Sequence, residues 1–162
     1  MAASDVILTA VLVFAIAIGL FAMYAALTPT LTAMQHSKIN ESATAVEVLQ
    51  GAENVLAKID YLVLGVFIAL SLGLVITSWF IGGNPLFMFI YFIVIVLGVI
   101  VAAIMSNVWE TVTGASVFGS NLAAFPLANH LMLLLPYYIG VVGFIGIIIM
   151  FAKPYVSDGG GM

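Results

Sequence analysis

The chain has 162 residues, of which 65% are hydrophobic, and it carries three lysines against seven acidic residues, with no arginine and no cysteine. About a quarter of the residues of a soluble globular chain are charged, so this composition excludes that class and indicates an integral membrane protein. The formal net charge of −4 argues against a nucleic-acid partner or a polybasic lipid-binding segment, because both need clustered positive charge. The missing cysteines exclude disulfides and thiolate metal sites.

Four apolar runs are each long enough to cross a bilayer. They cover residues 6–27, 61–81, 85–105 and 127–151. We expect Thr28-Pro29-Thr30 to end the first run, and Pro136 to kink the fourth. Backbone polar groups cannot stay unpaired in hydrocarbon, so the runs predict an all-α fold. The whole chain, residues 1–162, then forms a single bundle of four transmembrane helices with both termini on one side.

An amphipathic segment, residues 40–60, leads into the second span. At 100° per residue its apolar side chains fall on one face, opposite Glu47 and Lys58. We predict one continuous helix, capped by Asn40, whose first half projects from the membrane and packs on protein. A helix lying flat on the bilayer usually carries more Lys or Arg on its polar face. The apolar face consists of Ala45, Val48, Leu49, Ala52, Val55, Leu56 and Ile59.

Small residues recur at helical spacing in two of the spans. Gly65, Ala69 and Gly73 follow the small-xxx-small pattern that lets helices approach closely, so we predict that they face another helix rather than lipid. The short connection before Pro85 predicts that the second and third spans form a helical hairpin. The fourth span carries a second set, for which tight helix packing is also the favoured interpretation: Gly140, Gly143 and Gly146.

The sequence offers few residues for chemistry. The middle of each span has no Asp, Glu, Lys or Arg, although ion-coupled transporters and proton pumps usually need an ionisable residue at depth. His36 and His130 have no second ligand at helical spacing, and Glu110 is interpreted as a solvated carboxylate at the membrane boundary. We therefore predict that the protein is not an enzyme. No residue is assigned to a catalytic, cofactor-binding or metal-binding role.

One layout of short motifs connects the spans. An Asn84-Pro85-Leu86-Phe87 turn precedes the third span, Ser106-Asn107-Val108-Trp109-Glu110 follows it, and Phe125-Pro126 precedes the fourth. Together with the amphipathic run, this layout resembles the small multi-pass membrane proteins of tailless phages and archaeal viruses that contain an internal lipid membrane. The resemblance implies a structural virion membrane protein beneath an icosahedral shell. It implies no catalytic residues.

Three functions compete at this point. The first is a structural or scaffolding subunit of a larger assembly, either an oligomer or a hetero-assembly, whose partners are the lipid bilayer and other membrane or coat proteins. Its location would be the internal membrane of a virion or a host cell membrane. The second is a pore, holin-like or transport subunit, whose lumen would be built by oligomerisation and lined by Ser71, Thr77 and Asn129. The third is an accessory subunit of a membrane enzyme complex.

Overall fold

A computed structural model describes residues 2–37, 42–80, 85–115, 119 and 121–152. These residues form α-helices and turns without a strand. The helices are α1 (Ala2–Gln35), α2 (Ala43–Leu56), α3 (Ile59–Phe80), α4 (Pro85–Gly114), α5 (Pro126–Leu133) and α6 (Leu135–Ala152), with a short 3-10 turn at Leu122–Ala124. Four of them, α1, α3, α4 and α6, are long and apolar enough to cross a membrane. The protein is thus an all-α integral membrane protein with a four-helix bundle, which confirms the predicted fold class.

The spanning helices form a ring whose order differs from the chain order. Both α3 and α4 pack against α1 and against α6. Although α3 and α4 are consecutive, they occupy diagonal corners of the ring and hardly contact each other along their described lengths. The second and third spans follow each other after a short connection, as predicted for a hairpin, and Ser78 of α3 lies 3.2 Å from the Tyr91 hydroxyl of α4, but each helix packs mainly on α1 and α6. Close approach to α6 determines the position of α4, as the glycines of α6 show below.

The apolar core extends along the bundle. It follows α1 at spacings of three and four residues, which place successive side chains on one helix face. Residues from α3, α4 and α6 close the core from the other corners, among them Phe67, Ile95 and Ile139. The buried core residues of α1 are Val6, Ala10, Val13, Ala17 and Phe21.

The first helix does not end at Pro29 as predicted, because α1 continues to Gln35. A proline inside a helix removes one N–H donor, but its fixed φ is compatible with helical backbone. Threonine hydroxyls add bonds around it: Thr28 Oγ1 donates to the Tyr24 carbonyl at 2.8 Å, and Thr32 Oγ1 donates to the Thr28 carbonyl at 2.9 Å. A helix of 34 residues is about 50 Å long, which exceeds the roughly 30 Å hydrocarbon core of a bilayer.

The amphipathic segment and the second span are separate helices, so the prediction of one continuous helix is wrong at a single turn. The Lys58 amide donates to the carbonyl of Val55, three residues back, instead of continuing the four-residue ladder. Ile59, directly after this turn, is buried in the bundle. The predicted cap Asn40 lies outside the described residues, and Ser42 is the N-cap residue of α2.

The remaining boundaries shift in two places. The helix of the third span continues past residue 105 to Gly114, because no proline interrupts residues 106–113 and Trp109 packs into the core. The fourth span consists of two helices, α5 and α6, that meet at Leu134 (φ −101°, ψ 11°), two residues before Pro136. The ring of Pro136 lacks the N–H that would continue the helix, which accounts for the break.

Candidate interaction surfaces

The second helix, α2, folds back along the C-terminal part of α1 and forms with it a two-helix layer beside the bundle. Leu49 and Leu56 are buried in this layer. The Gln35 side-chain amide donates a hydrogen bond to the Glu53 carboxylate across the same contact. Helix α1 is longer than a bilayer core needs, and α2 is polar on one side. We refer to the part of α1 after Tyr24, together with α2, as the α1–α2 layer.

Apolar grooves remain open along the α1–α2 layer. One groove of about 270 Å³ lies between Leu27 and Leu31 of α1 and Ala52 and Val55 of α2, and its walls are almost wholly apolar. A second groove of about 350 Å³ continues toward the start of α2. It is lined by Met34, Ser42, Thr44, Ala45, Val48 and Leu49. The layer thus presents apolar surface that no described part of the chain covers.

The predicted apolar face of the amphipathic segment divides into covered and open halves. Leu49, Leu56 and Ile59 are buried, whereas Val48 and Val55 keep 67% and 59% of their surface exposed. Ala45 and Ala52 are half-buried between these two groups. Helix α1 is therefore one protein partner of the segment, and the valines form its open edge.

The predicted small-residue stripe of the second span lies on the outside of the bundle. Gly65, Ala69 and Gly73 are exposed, and a Cβ built on either glycine would meet no atom within 4 Å. No helix among the described residues packs there, so the described part of the chain does not supply the predicted contact. It stays a prediction.

The glycines of the fourth span behave in the opposite way and make the closest helix contacts of the bundle. A Cβ on Gly143 would lie 2.8 Å from a side-chain atom of Ile95, and one on Gly146 would lie 2.5 Å from the Tyr91 hydroxyl. Gly140 faces Val99 at an ordinary distance of 3.6 Å. These residues allow α4 to lie directly against α6.

Sequence reasoning missed a cluster of side-chain hydrogen bonds around α5. The Asp60 carboxylate, at the start of α3, accepts the backbone N–H groups of Leu127 at 3.0 Å and Ala128 at 2.7 Å. Trp109 Nε1 donates to Asn129 Oδ1 at 3.0 Å. One signal was present in the sequence: Phe125, the residue before α5, has no side-chain oxygen to cap the helix, so an acceptor from elsewhere in the chain is needed.

Aromatic rings close the same end of the bundle. The ring of Phe21 lies 5.4 Å from that of Trp109 and 5.2 Å from that of Phe125, centroid to centroid. Tyr24 meets Phe125 edge to face at 4.9 Å. Such pairs add to the burial of their area, so this cluster fixes α1, α4 and the segment before α5 to one another.

The remaining polar candidates lie apart from one another. His36, Glu110 and His130 are exposed, and the described residues contain no group of three His, Asp or Glu that could hold a metal ion. Thr77 donates to the carbonyl of Gly73 in its own helix, and Ser71 Oγ is buried without a hydrogen-bond partner among the described atoms. Asn129 accepts from Trp109. Thr77 and Asn129 thus have hydrogen-bond partners within the chain, and a lumen built from these residues by oligomerisation stays a prediction.

Comparisons with protein-family models, with curated proteins and with solved structures find no match for this chain.

Proposed function

We propose that the protein is a structural, non-catalytic subunit of a larger membrane assembly and that it binds neighbouring proteins through the α1–α2 layer. The observation that carries the proposal is the open apolar edge formed by Val48 and Val55 above the grooves. An exposed apolar surface with polar residues beside it is typical of a protein–protein contact. Such a role needs no catalytic group.

The orientation of α2 supports a protein partner over the membrane surface. Leu56 lines one groove with Leu31 of α1, Glu53 accepts the bond from Gln35, and Leu49 lines another groove with Met34, so α2 runs antiparallel to α1. It therefore stands beside a spanning helix and does not lie across the bundle. Its exposed polar side has Glu47 and a single lysine, Lys58, which is little positive charge for a helix held by anionic headgroups.

The resemblance to membrane proteins of tailless, internal-membrane-containing viruses suggests the setting. We propose that the assembly is a virion with an internal lipid membrane, in which the spans occupy the bilayer and the α1–α2 layer meets coat or other membrane proteins. A subunit with this role needs stable spans and a protruding contact surface. The layout of the motifs around Pro85, Trp109 and Pro126 is the only support for the viral setting as opposed to another membrane assembly.

A photo-crosslinking experiment in native particles tests the contact. A benzophenone amino acid is placed at Val48 or at Val55, and the matched control carries it at Gln50, on the polar side of the same helix. We expect protein adducts from the two valine positions and few from Gln50. Adducts to lipid alone, or spin labels at Val48 and Val55 that both report headgroup depth, would contradict the proposal.

A leakage assay addresses the pore alternative. Large side chains such as Phe67, Ile95 and Ile139 fill the described interior of the bundle, so a single chain offers no lumen there. Liposomes containing the purified protein are expected to retain ions and small dyes. Saturable and selective leakage would replace the structural proposal with a pore or transport role, and redox-cofactor subunits as native neighbours would replace it with a role in an enzyme complex.

A further inference from the structure

The half-helix α5 is held mainly by side chains from other helices. We propose that Asp60 is a latch that couples the position of α2 to the docking of α5 on the bundle. The inference does not depend on the proposed function, because it concerns how two parts of this chain move together. It rests on the hydrogen bonds of Asp60, on the break at Leu134 and on the turn before Ile59.

Asp60 caps the N-terminus of α5. The first amides of a helix have no partner within the helix, and burying them unpaired is costly. Here the carboxylate of Asp60 takes the amides of Leu127 and Ala128, and both Asp60 and Ala128 are buried. A negative charge at a helix N-terminus is also favoured by the helix dipole. Asp60 therefore provides both the hydrogen bonds and the charge that the start of α5 requires.

Side chains of other helices hold α5 along its whole length. At its C-terminal end the helix stops at Leu133, and the backbone leaves helical geometry at Leu134. Ser106 Oγ of α4 donates to the freed carbonyl of Leu133 at 3.0 Å. With the bond from Trp109 to Asn129, side chains of α3 and α4 hold α5 at its start, middle and end. Backbone bonds from the Leu134 amide to the His130 carbonyl and from the Tyr138 amide to the Leu134 carbonyl also cross this junction, so opening of α5 breaks these together with the side-chain bonds.

The position of Asp60 in the chain links α5 with α2. Asp60 is the second residue after the Ala57–Lys58 turn, where the helix ladder between α2 and α3 is interrupted. A change in the angle between α2 and α3 is therefore expected to displace Asp60, which caps α5. Before this turn, α2 is held against α1 by the Gln35–Glu53 hydrogen bond and by the burial of Leu49 and Leu56. Displacing α2 from α1 is then expected to loosen the cap and to raise the population in which α5 is detached.

Hydrogen exchange measured by mass spectrometry or NMR tests the latch in the full chain. The amides of Leu131 and Met132 are the readout, because they report opening of α5 itself and do not bond directly to Asp60. We expect Asp60→Asn to speed their exchange about tenfold or more, with little change at Ile139 of α6. The matched control, Glu110→Gln, removes an exposed carboxylate and is expected to leave both sites unchanged. Unchanged exchange at Leu131 in Asp60→Asn would overturn the latch.

The coupling to α2 is tested separately, in a chain that keeps Asp60. Because the sequence contains no cysteine, Gln35→Cys and Glu53→Cys allow a short bis-maleimide cross-link that locks α2 against α1. We expect the cross-link to slow exchange at Leu131 and Met132 at least threefold relative to the same variant without the linker. The effect should vanish when Asp60→Asn is added. No effect of the cross-link with Asp60 present would overturn the coupling even if Asp60→Asn failed to fold. If Asp60→Asn folds, an equal effect in both backgrounds would overturn it as well.

Discussion

Two glycine-containing faces of the bundle share a sequence pattern and differ in structure. On α6 a Cβ at Gly143 would meet Ile95 at 2.8 Å, and one at Gly146 would meet Ser78 Oγ at 2.7 Å. On α3 the corresponding atoms at Gly65 and Gly73 would meet nothing within 4 Å. The spacing of small residues therefore indicates where close approach is possible. It does not tell which face the chain itself uses.

The difference originates in the helix that faces each stripe. Inside a bilayer lipid is as apolar as a neighbouring helix, so association depends on close packing and on polar contacts. Opposite α6, helix α4 supplies the branched side chain of Ile95 and the Tyr91 hydroxyl, which is 3.2 Å from Ser78 Oγ. No helix among the described residues supplies such groups opposite the stripe of Gly65, Ala69 and Gly73 on α3. A partner surface, and not the stripe alone, makes a packing site.

The largest expected effect is at Gly146. Gly146→Ala places a methyl group 2.5 Å from the Tyr91 hydroxyl, and we expect a loss of about 2–3 kcal/mol in the free energy of unfolding, which is the upper part of the range for overpacking. Thermal and denaturant unfolding in detergent measure it. The matched control is Gly73→Ala on the other stripe, which is expected to lose nothing. Equal effects at both positions would contradict the comparison.

A double variant sharpens the same prediction. Tyr91→Phe removes the hydroxyl that the new methyl group would meet, so Gly146→Ala should cost about 1 kcal/mol less in that background, a coupling typical of contacting residues. Additive losses in the two single variants would show that the Tyr91 hydroxyl is not what limits the approach of α6.

A smaller effect is expected at Gly143. The atoms that Gly143→Ala would meet all belong to the side chain of Ile95, at 2.8 Å or more, whereas a Cβ at Gly146 would meet both Tyr91 and Ser78 at shorter distances. We expect a loss of about 1 kcal/mol. In an Ile95→Ala background the loss should disappear, because the opposing atoms are gone. A loss that persists there would place the strain elsewhere on α4.

The sequence carries much of the fold and little of the packing. Four apolar runs predict four spans because the bilayer allows few alternatives, and Pro136 predicts a break where the chain has one. The diagonal placement of α3 and α4 could not be predicted, since it depends on how Tyr91 and Ile95 fit the glycines of α6. The continuation of α1 past Pro29 could not be predicted from a proline rule, because the fixed φ of proline is compatible with helical backbone.

The candidate surfaces could likewise be predicted from the sequence only in part. The amphipathic pattern predicts an apolar face on residues 45–59, but it does not tell that α1 covers Leu49 and leaves Val48 open. The bond from Asp60 to Ala128 joins residues far apart in the chain, so no local pattern reveals it. Only the uncapped start of α5 after Phe125 indicates that an acceptor must come from another helix.

The smallest expected effect is on the exposed stripe of the isolated chain. Ala69→Leu and Gly73→Leu place their new atoms in open space, so we expect the free energy of unfolding of the monomer to change by less than about 0.5 kcal/mol, as for other surface substitutions. Unfolding in detergent at low protein concentration measures this. A clear loss would mean that the stripe is covered within the chain.

Association separates the stripe from an ordinary lipid-facing surface. If α3 packs on another chain, as the small residues predict, both leucine variants should weaken incorporation into the native assembly, because the added side chains prevent close helix approach. Gly19→Leu is the matched control, since Gly19 of α1 is also exposed and a Cβ built on it would meet no atom within 4 Å. Weaker incorporation for the α3 variants alone assigns the stripe to a partner helix. Equal incorporation of all three variants assigns it to lipid, and the small residues of α3 then have no packing role.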